Sequence, residues 1–159
     1  MPVFLQGRQK GAPMTHTYTL LDEIHQYFPA GISDIRTLSP LKLAYLGDAV
    51  FELVIRSIII EETGGPVKNL HEHTSRLVNA GSQSRLIQSV MNELTEDEQR
   101  VYRHGRNAKT SSVAKHADIH DYRNATGLEA LFGYLYLTGN MTRAIELCRI
   151  GFDLLHIDV

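Results

Sequence analysis

Two carboxylates set in apolar company are the residues of this chain best suited to chemistry. Asp48 lies in Leu43-Ala44-Tyr45-Leu46-Gly47-Asp48-Ala49-Val50-Phe51-Glu52, and Glu129 in Thr126-Gly127-Leu128-Glu129-Ala130-Leu131-Phe132-Gly133-Tyr134-Leu135-Tyr136-Leu137. Both runs are apolar around most of a helical circumference, so both are expected to be largely buried. An ionised carboxylate among Leu, Val, Phe and Tyr is costly unless it is paired or ligates a metal. Few Lys or Arg stand inside either run to neutralise the acids. Gly47 and Gly133 sit beside or one turn from them, where a missing side chain lets two helices come close. The expectation is a helix crossing at which Asp48 and Glu129 share a divalent cation. Oxygen ligands suit Mg²⁺, with Mn²⁺ as a substitute. Carboxylate-held metals act naturally on phosphate esters, because they stabilise the attacking and leaving oxygens of an in-line displacement.

The elements that must carry these acids read as helices. Ser39-Pro40 supplies an N-cap followed by proline in the first turn, opening a long helix that ends at Thr63-Gly64-Gly65-Pro66. A short helix precedes it, from Leu20 to Phe28, and a further helical stretch runs from about Asn69 to Leu94 with a bend near Gly81. Thr95-Glu96-Asp97-Glu98 has the spacing of a capping box and opens a helix to about Arg103. The Glu129 helix spans about Asp121 to Leu137, and a last helix runs from Met141 to Leu155 after the Thr138-Gly139-Asn140 break. No strand, hairpin signal or internal repeat is visible, so the fold class is all-α. Residues 1–17, mixed Gly, Pro, Gln and Thr without periodicity, read as a flexible N-terminal extension in which Met14 is an alternative start, and residues 18–159 as one domain.

Composition excludes several classes. A chain of 159 residues that is 43% apolar supports one ordinary core. The only cysteine, Cys148, falls on the apolar side of an amphipathic pattern, which argues for packing in a reducing cytoplasm rather than for a disulfide framework. The apolar runs are interrupted by Asp48, Glu52, Arg56 or Glu129 before reaching the roughly 20 residues of a membrane span. With 16 Lys and Arg against 18 Asp and Glu, any affinity for nucleic acid must come from a local basic surface. The polar stretch from His104 to Lys115 offers one. Arg106, Asn107, Lys109 and Lys115 suit phosphate contacts, and Arg76 and Arg85 on the preceding helix extend the surface. A rival arrangement, a metal site built from His116, the His120-Asp121 pair and His71-Glu72-His73, lies in a polar stretch and lacks the further ordered ligands such a site requires.

Leu46-Gly47-Asp48-Ala49-Val50 with Glu52, followed some eighty residues later by Leu128-Glu129-Ala130-Leu131-Phe132-Gly133, resembles the two signature segments of the ribonuclease III catalytic domain. The resemblance covers Leu38 to Leu155. Without room for a double-stranded-RNA-binding domain, and with Gly105-Arg106-Asn107-Ala108-Lys109, the chain is most similar to Mini-ribonuclease III, the compact bacterial branch that matures precursor 23S ribosomal RNA. The resemblance implies an all-helical homodimer with a valley for double-stranded RNA. It also implies Mg²⁺-dependent hydrolysis leaving 5′-phosphate and 3′-hydroxyl ends, with Asp48 and Glu129 as the essential acids, and a ribosomal protein that presents the substrate. The chain departs from larger relatives at Ala44 and Thr126, where they carry further acids. A catalytically silent RNA- or ribosome-binding scaffold is the alternative. Retention of both acids favours the enzyme, since replacing buried charges with hydrophobes usually stabilises a fold.

Overall fold

The computed structural model describes residues 19–29, 31–32, 34–110 and 118–159. The chain divides into a first unit, Met1–Gly31, and a second, Ile32–Val159. In the first, helix α1 (Leu20–Tyr27) opens with a capping box between Thr19 and Asp22. The expected extension over residues 1–17 lies outside the described residues.

The second unit contains α2 (Pro40–Glu62), α3 (Val67–Val78), α4 (Ala80–Ser89), α5 (Glu96–Asn107), α6 (Ile119–Leu137) and α7 (Met141–Leu154), with short 3₁₀ turns at Ile35–Thr37 and Met91–Glu93. The described residues contain no strand. The start signals act as read. The Ser39 side chain caps α2 ahead of Pro40, and Thr95 and Glu98 form the capping box of α5.

Helix α6 is the axis of the bundle and packs against α2, α4, α5 and α7. Phe51 of α2 meets Phe132 of α6 edge to face, with ring centroids 5.2 Å apart, and both are wholly buried. The two helices touch backbone to backbone beside this pair. A Cβ on Gly47 would land on the carbonyl oxygen of Glu129, and one on Gly133 on that of Leu43. The expected crossing through these glycines is therefore present, and no larger residue fits it.

Two element boundaries differ from the sequence reading. The stretch read as one helix from Asn69 to Leu94 is broken at Asn79 rather than bent at Gly81. Asn79 stands in extended backbone, donates its amide to the carbonyls of Ser75 and Arg76, and accepts from the Ser82 N–H as the cap of α4. Helix α5 also continues past Arg103 to Asn107, so Arg106 and Asn107 belong to a helix end rather than to a loop. Gly105 holds that last turn against α6. A Cβ there would sit 2.6 Å from the Ala130 Cβ and 3.0 Å from the Gly127 Cα, a contact invisible to local sequence.

Candidate active site

Asp48 and Glu129 share one cleft. Beyond the Gly47–Gly133 contact α2 and α6 leave an opening of about 500 Å³ lined by Ala44, Asp48, Glu52, Tyr122, Thr126 and Glu129 among others. The sequence expectation that both acids are largely buried holds only for Glu129, which is mostly enclosed, whereas Asp48 is exposed. The reason is the position of α2 in the bundle. Apolar residues surround Asp48 in sequence, but several of them, Tyr45 at 85% and Leu53 at 59% exposure, lie on the outer face of α2.

Enclosure changes the chemistry of Glu129. Burial, and after it the charge of Asp48, push its carboxyl up to about 8, while the nearby Gln83 side chain works in the opposite sense. The ion pairs of the described residues leave both acids without a Lys or Arg partner. Glu52, one turn beyond Asp48, is bound instead to Arg56 at 2.7 Å and 3.1 Å. Thr126 turns its hydroxyl proton back onto the Tyr122 carbonyl at 3.0 Å, leaving its oxygen lone pairs for an acceptor role in the cleft.

This donor set fits a divalent cation. It is made of oxygen, two carboxylates share the cleft, and Glu129 holds a proton up to about pH 8, which a cation would displace. The set is also sparse. Among the described residues no three His, Cys, Asp or Glu converge, so much of the ion's coordination would fall to water and substrate. Among the described residues the rival histidine site does not assemble: the His73 Nδ1 is engaged with the Thr63 hydroxyl at 3.1 Å, and His71 and His120 are exposed, while His116 lies outside the described residues.

The basic residues are dispersed over several elements. Arg76 is exposed on α3, and Arg85 on α4 donates to the Ser82 hydroxyl at 3.0 Å. Asn107 and Lys109 are exposed where α5 ends. Arg106 is half-buried, and its Nε donates to the Asn124 side-chain oxygen at 3.1 Å, so part of its guanidinium is committed to the fold. Lys115 lies outside the described residues. The sequence reading did not single out Gln83, although a signal was available. Gln83 stands at i−3, i−4 and i−7 to Leu86, Ile87 and Val90, a core register in which a polar residue needs a partner.

The class of the protein follows from comparison with known families. Residues 41–140 match the family model of the Ribonuclease III domain, a span that includes both carboxylates and the whole crossing. Among curated proteins, the Mini-ribonuclease 3 of Clostridium tetani is 42% identical over 122 residues, 76% of this chain and 81% of its own length. That of Symbiobacterium thermophilum is 45% identical over 117 residues, 74% of this chain and 90% of its own. A crystal structure of a Fusobacterium nucleatum protein superposes with a TM-score of 0.68 at 31% identity, covering 77% of this chain and 98% of that one. The chain belongs to the ribonuclease III family, in its Mini-ribonuclease 3 branch, and is an endoribonuclease. The family acts on double-stranded RNA and uses divalent metal ions. No helix among the described residues is long and apolar enough to cross a membrane.

Proposed function

We propose that this protein is a cytoplasmic, Mg²⁺-dependent endonuclease for double-stranded RNA, with the ends of precursor 23S ribosomal RNA as its substrate and Asp48 and Glu129 as its catalytic acids. The observation that carries the reading is the meeting of these two carboxylates in one cleft with, among the described residues, no cationic side chain paired to either.

Asp48 and Glu129 would hold the cation, Mg²⁺ or in its place Mn²⁺. When bound, the ion supplies Lewis-acid polarisation of the scissile phosphate. The acids do the rest by position. Glu129, enclosed and in the field of Asp48, would hold the cation in its deprotonated form. Asp48 stands on the open side of the cleft, where a phosphodiester can approach. Water then adds to phosphorus, the bond from phosphorus to the 3′-oxygen breaks, and the products carry a 5′-phosphate and a 3′-hydroxyl. Arg76, Arg85, Asn107, Lys109 and Lys115 contact the RNA backbone, with Arg106 contributing the donors that its bond to Asn124 leaves free. Duplex RNA is recognised through A-form shape and 2′-hydroxyls rather than sequence.

The active form is a homodimer, with a ribosomal protein presenting the substrate. Leu41, Tyr45, Leu53 and Ile60 form an exposed apolar stripe along α2, between 38% and 85% accessible. Leu41 and Tyr45 also line the cleft, so a second copy covering the stripe would wall the site.

The test is incubation of purified protein with an RNA duplex and its separated strands, in Mg²⁺ and in chelator, beside Asp48→Asn. Cleavage of the duplex alone, dependent on metal and on Asp48, is expected. Metal-independent cleavage would refute the site, and binding without cleavage, of duplex and of pre-ribosomal particles alike, would support the silent scaffold.

A further inference from the structure

Asn124 of α6 is 5% exposed, beside Ser84 of α4 at 1% and Tyr102 of α5 at 5%. A carboxamide enclosed among three helices is costly unless both of its ends are bonded. Here both are. The amide nitrogen donates to the Ser84 hydroxyl at 3.0 Å, and the oxygen accepts from the Tyr102 hydroxyl at 2.9 Å and from Arg106 Nε at 3.1 Å. A guanidinium can only donate, so the oxygen is the end that faces Arg106, and the carboxamide has a single orientation.

Arg106 is the unusual member of this group. It is half-buried in the last turn of α5, where a charge that has lost water commonly takes a carboxylate partner. Among the described residues, which hold every Asp and Glu of the chain, none pairs with it. Its other side-chain bond is long and also neutral, from Nη1 to the Asn107 side-chain oxygen at 3.4 Å. The fold thus grips the guanidinium by its Nε with an uncharged acceptor and leaves its positive charge uncompensated. A guanidinium held in that way suits capture of a phosphate, which takes two of its N–H groups at once. The same turn is seated on α6 by the contact of Gly105 with Gly127 and Ala130. Glu129 lies five residues beyond Asn124 on that helix, about 7.5 Å along its axis, so the arginine and the cleft share one rigid support.

We propose that Asn124 is the positioning residue for Arg106: its neutral carboxamide aims the guanidinium without neutralising it, so that Arg106 meets an RNA phosphate with its whole charge. This inference rests on the reading of Arg106 as an RNA contact. Ser84 and Tyr102 act one step further back, as the bonds that hold the carboxamide in its one orientation.

The experiment is binding of a short RNA duplex to the full chain in chelator, by fluorescence anisotropy over a salt series, with the melting temperature of every variant measured alongside. Asn124→Asp keeps the shape and the acceptor but sets a carboxylate on Arg106. It is expected to weaken duplex binding by about 5- to 10-fold and to lower the slope of log affinity against log salt by about 0.9, one phosphate contact. In Mg²⁺ the same variant should raise KM for duplex cleavage while leaving kcat near wild type. Asn124→Ser withdraws the acceptor and leaves the charge, so it should weaken binding by about threefold at an unchanged salt slope. In the Arg106→Ala background Asn124→Ser should have no further effect, and this pair carries the test if Asn124→Asp does not fold. A folded Asn124→Asp with wild-type affinity and slope, while Arg106→Ala is impaired, would overturn the positioning role alone. So would a loss from Asn124→Ser that is equally large with and without Arg106, because the residue would then act through the fold. Duplex binding by Arg106→Ala with wild-type affinity and slope would overturn the underlying RNA contact, and the inference with it.

Discussion

Asp48 and Glu129 carry the same charge in similar apolar sequence, yet the fold gives them opposite surroundings. Asp48 projects from a helix covered on one side only, while Glu129 stands on the central helix among α2, α4 and α5, mostly enclosed and with its carboxyl raised to about 8. If the two acids hold one cation, as proposed, the difference gives them separate parts. The enclosed acid would give a fixed, desolvated ligand, and the exposed acid would leave the site open to a bulky polyanion. Burying both would raise the desolvation cost of the site, whereas exposing both would leave neither oriented.

The largest expected effect falls on activity and is shared by both acids. Asp48→Asn and Glu129→Gln should each reduce the cleavage rate by about 10³-fold, the equivalent of several kcal/mol of lost transition-state stabilisation. A single-turnover assay on an RNA duplex measures it, and a variant within tenfold of wild type would remove that acid from the site. A slightly smaller loss, in stability, is expected where the helices meet. Gly47→Ala or Gly133→Ala places a Cβ on a backbone carbonyl and should destabilise the fold by about 3 kcal/mol, with both acids displaced. Chemical denaturation gives the value, and unchanged midpoints would mean that the crossing is looser than described.

The two acids should then separate by pH. A carboxyl raised from 4.5 to about 8 binds more protons folded than unfolded across that interval. Its favourable contribution is fully present below about pH 4.5 and is lost as pH rises through about 8, by up to a few kcal/mol at about 1.4 kcal/mol per unit. In chelator, the melting temperature of Glu129→Gln minus that of wild type should therefore grow more positive from pH 5 to pH 9. Asp48→Asn should show a weaker trend, through loss of its repulsion on Glu129, and parallel curves for all three proteins would contradict the contrast. The smallest effects concern RNA. Lys109→Ala should reduce the slope of log affinity against log salt by about 0.9, one phosphate contact. Arg106→Ala should also lose about 1 kcal/mol of stability with its bond to Asn124. Salt slopes equal to wild type would take these residues off the RNA surface.

Most of the helices were legible because their signals are local. Ser39-Pro40, the Thr95 and Glu98 capping box and the Thr138-Gly139-Asn140 break act within a few residues of chain, and the structure uses each of them. The Gly47–Gly133 crossing was legible for a related reason, because a small residue beside an acid in each of two apolar runs leaves few other uses. Local sequence could not show that α5 continues through Arg106. What stabilises that turn is Gly105 against Ala130 and Gly127, some twenty residues further along the chain. Nor could it show that Asp48 is exposed, since an apolar run reads alike whether a helix is covered on one side or on all.

The sequence by itself therefore determined the helical class, the family and the place where the two apolar helices touch. These depend on residue types at fixed short spacings and on backbone contact that only glycine allows. Tertiary structure decided which acid is enclosed and which arginine is half committed to the core. Burial and hydrogen-bond partnership are properties of helix packing, and packing brings together residues that chain order keeps tens of positions apart.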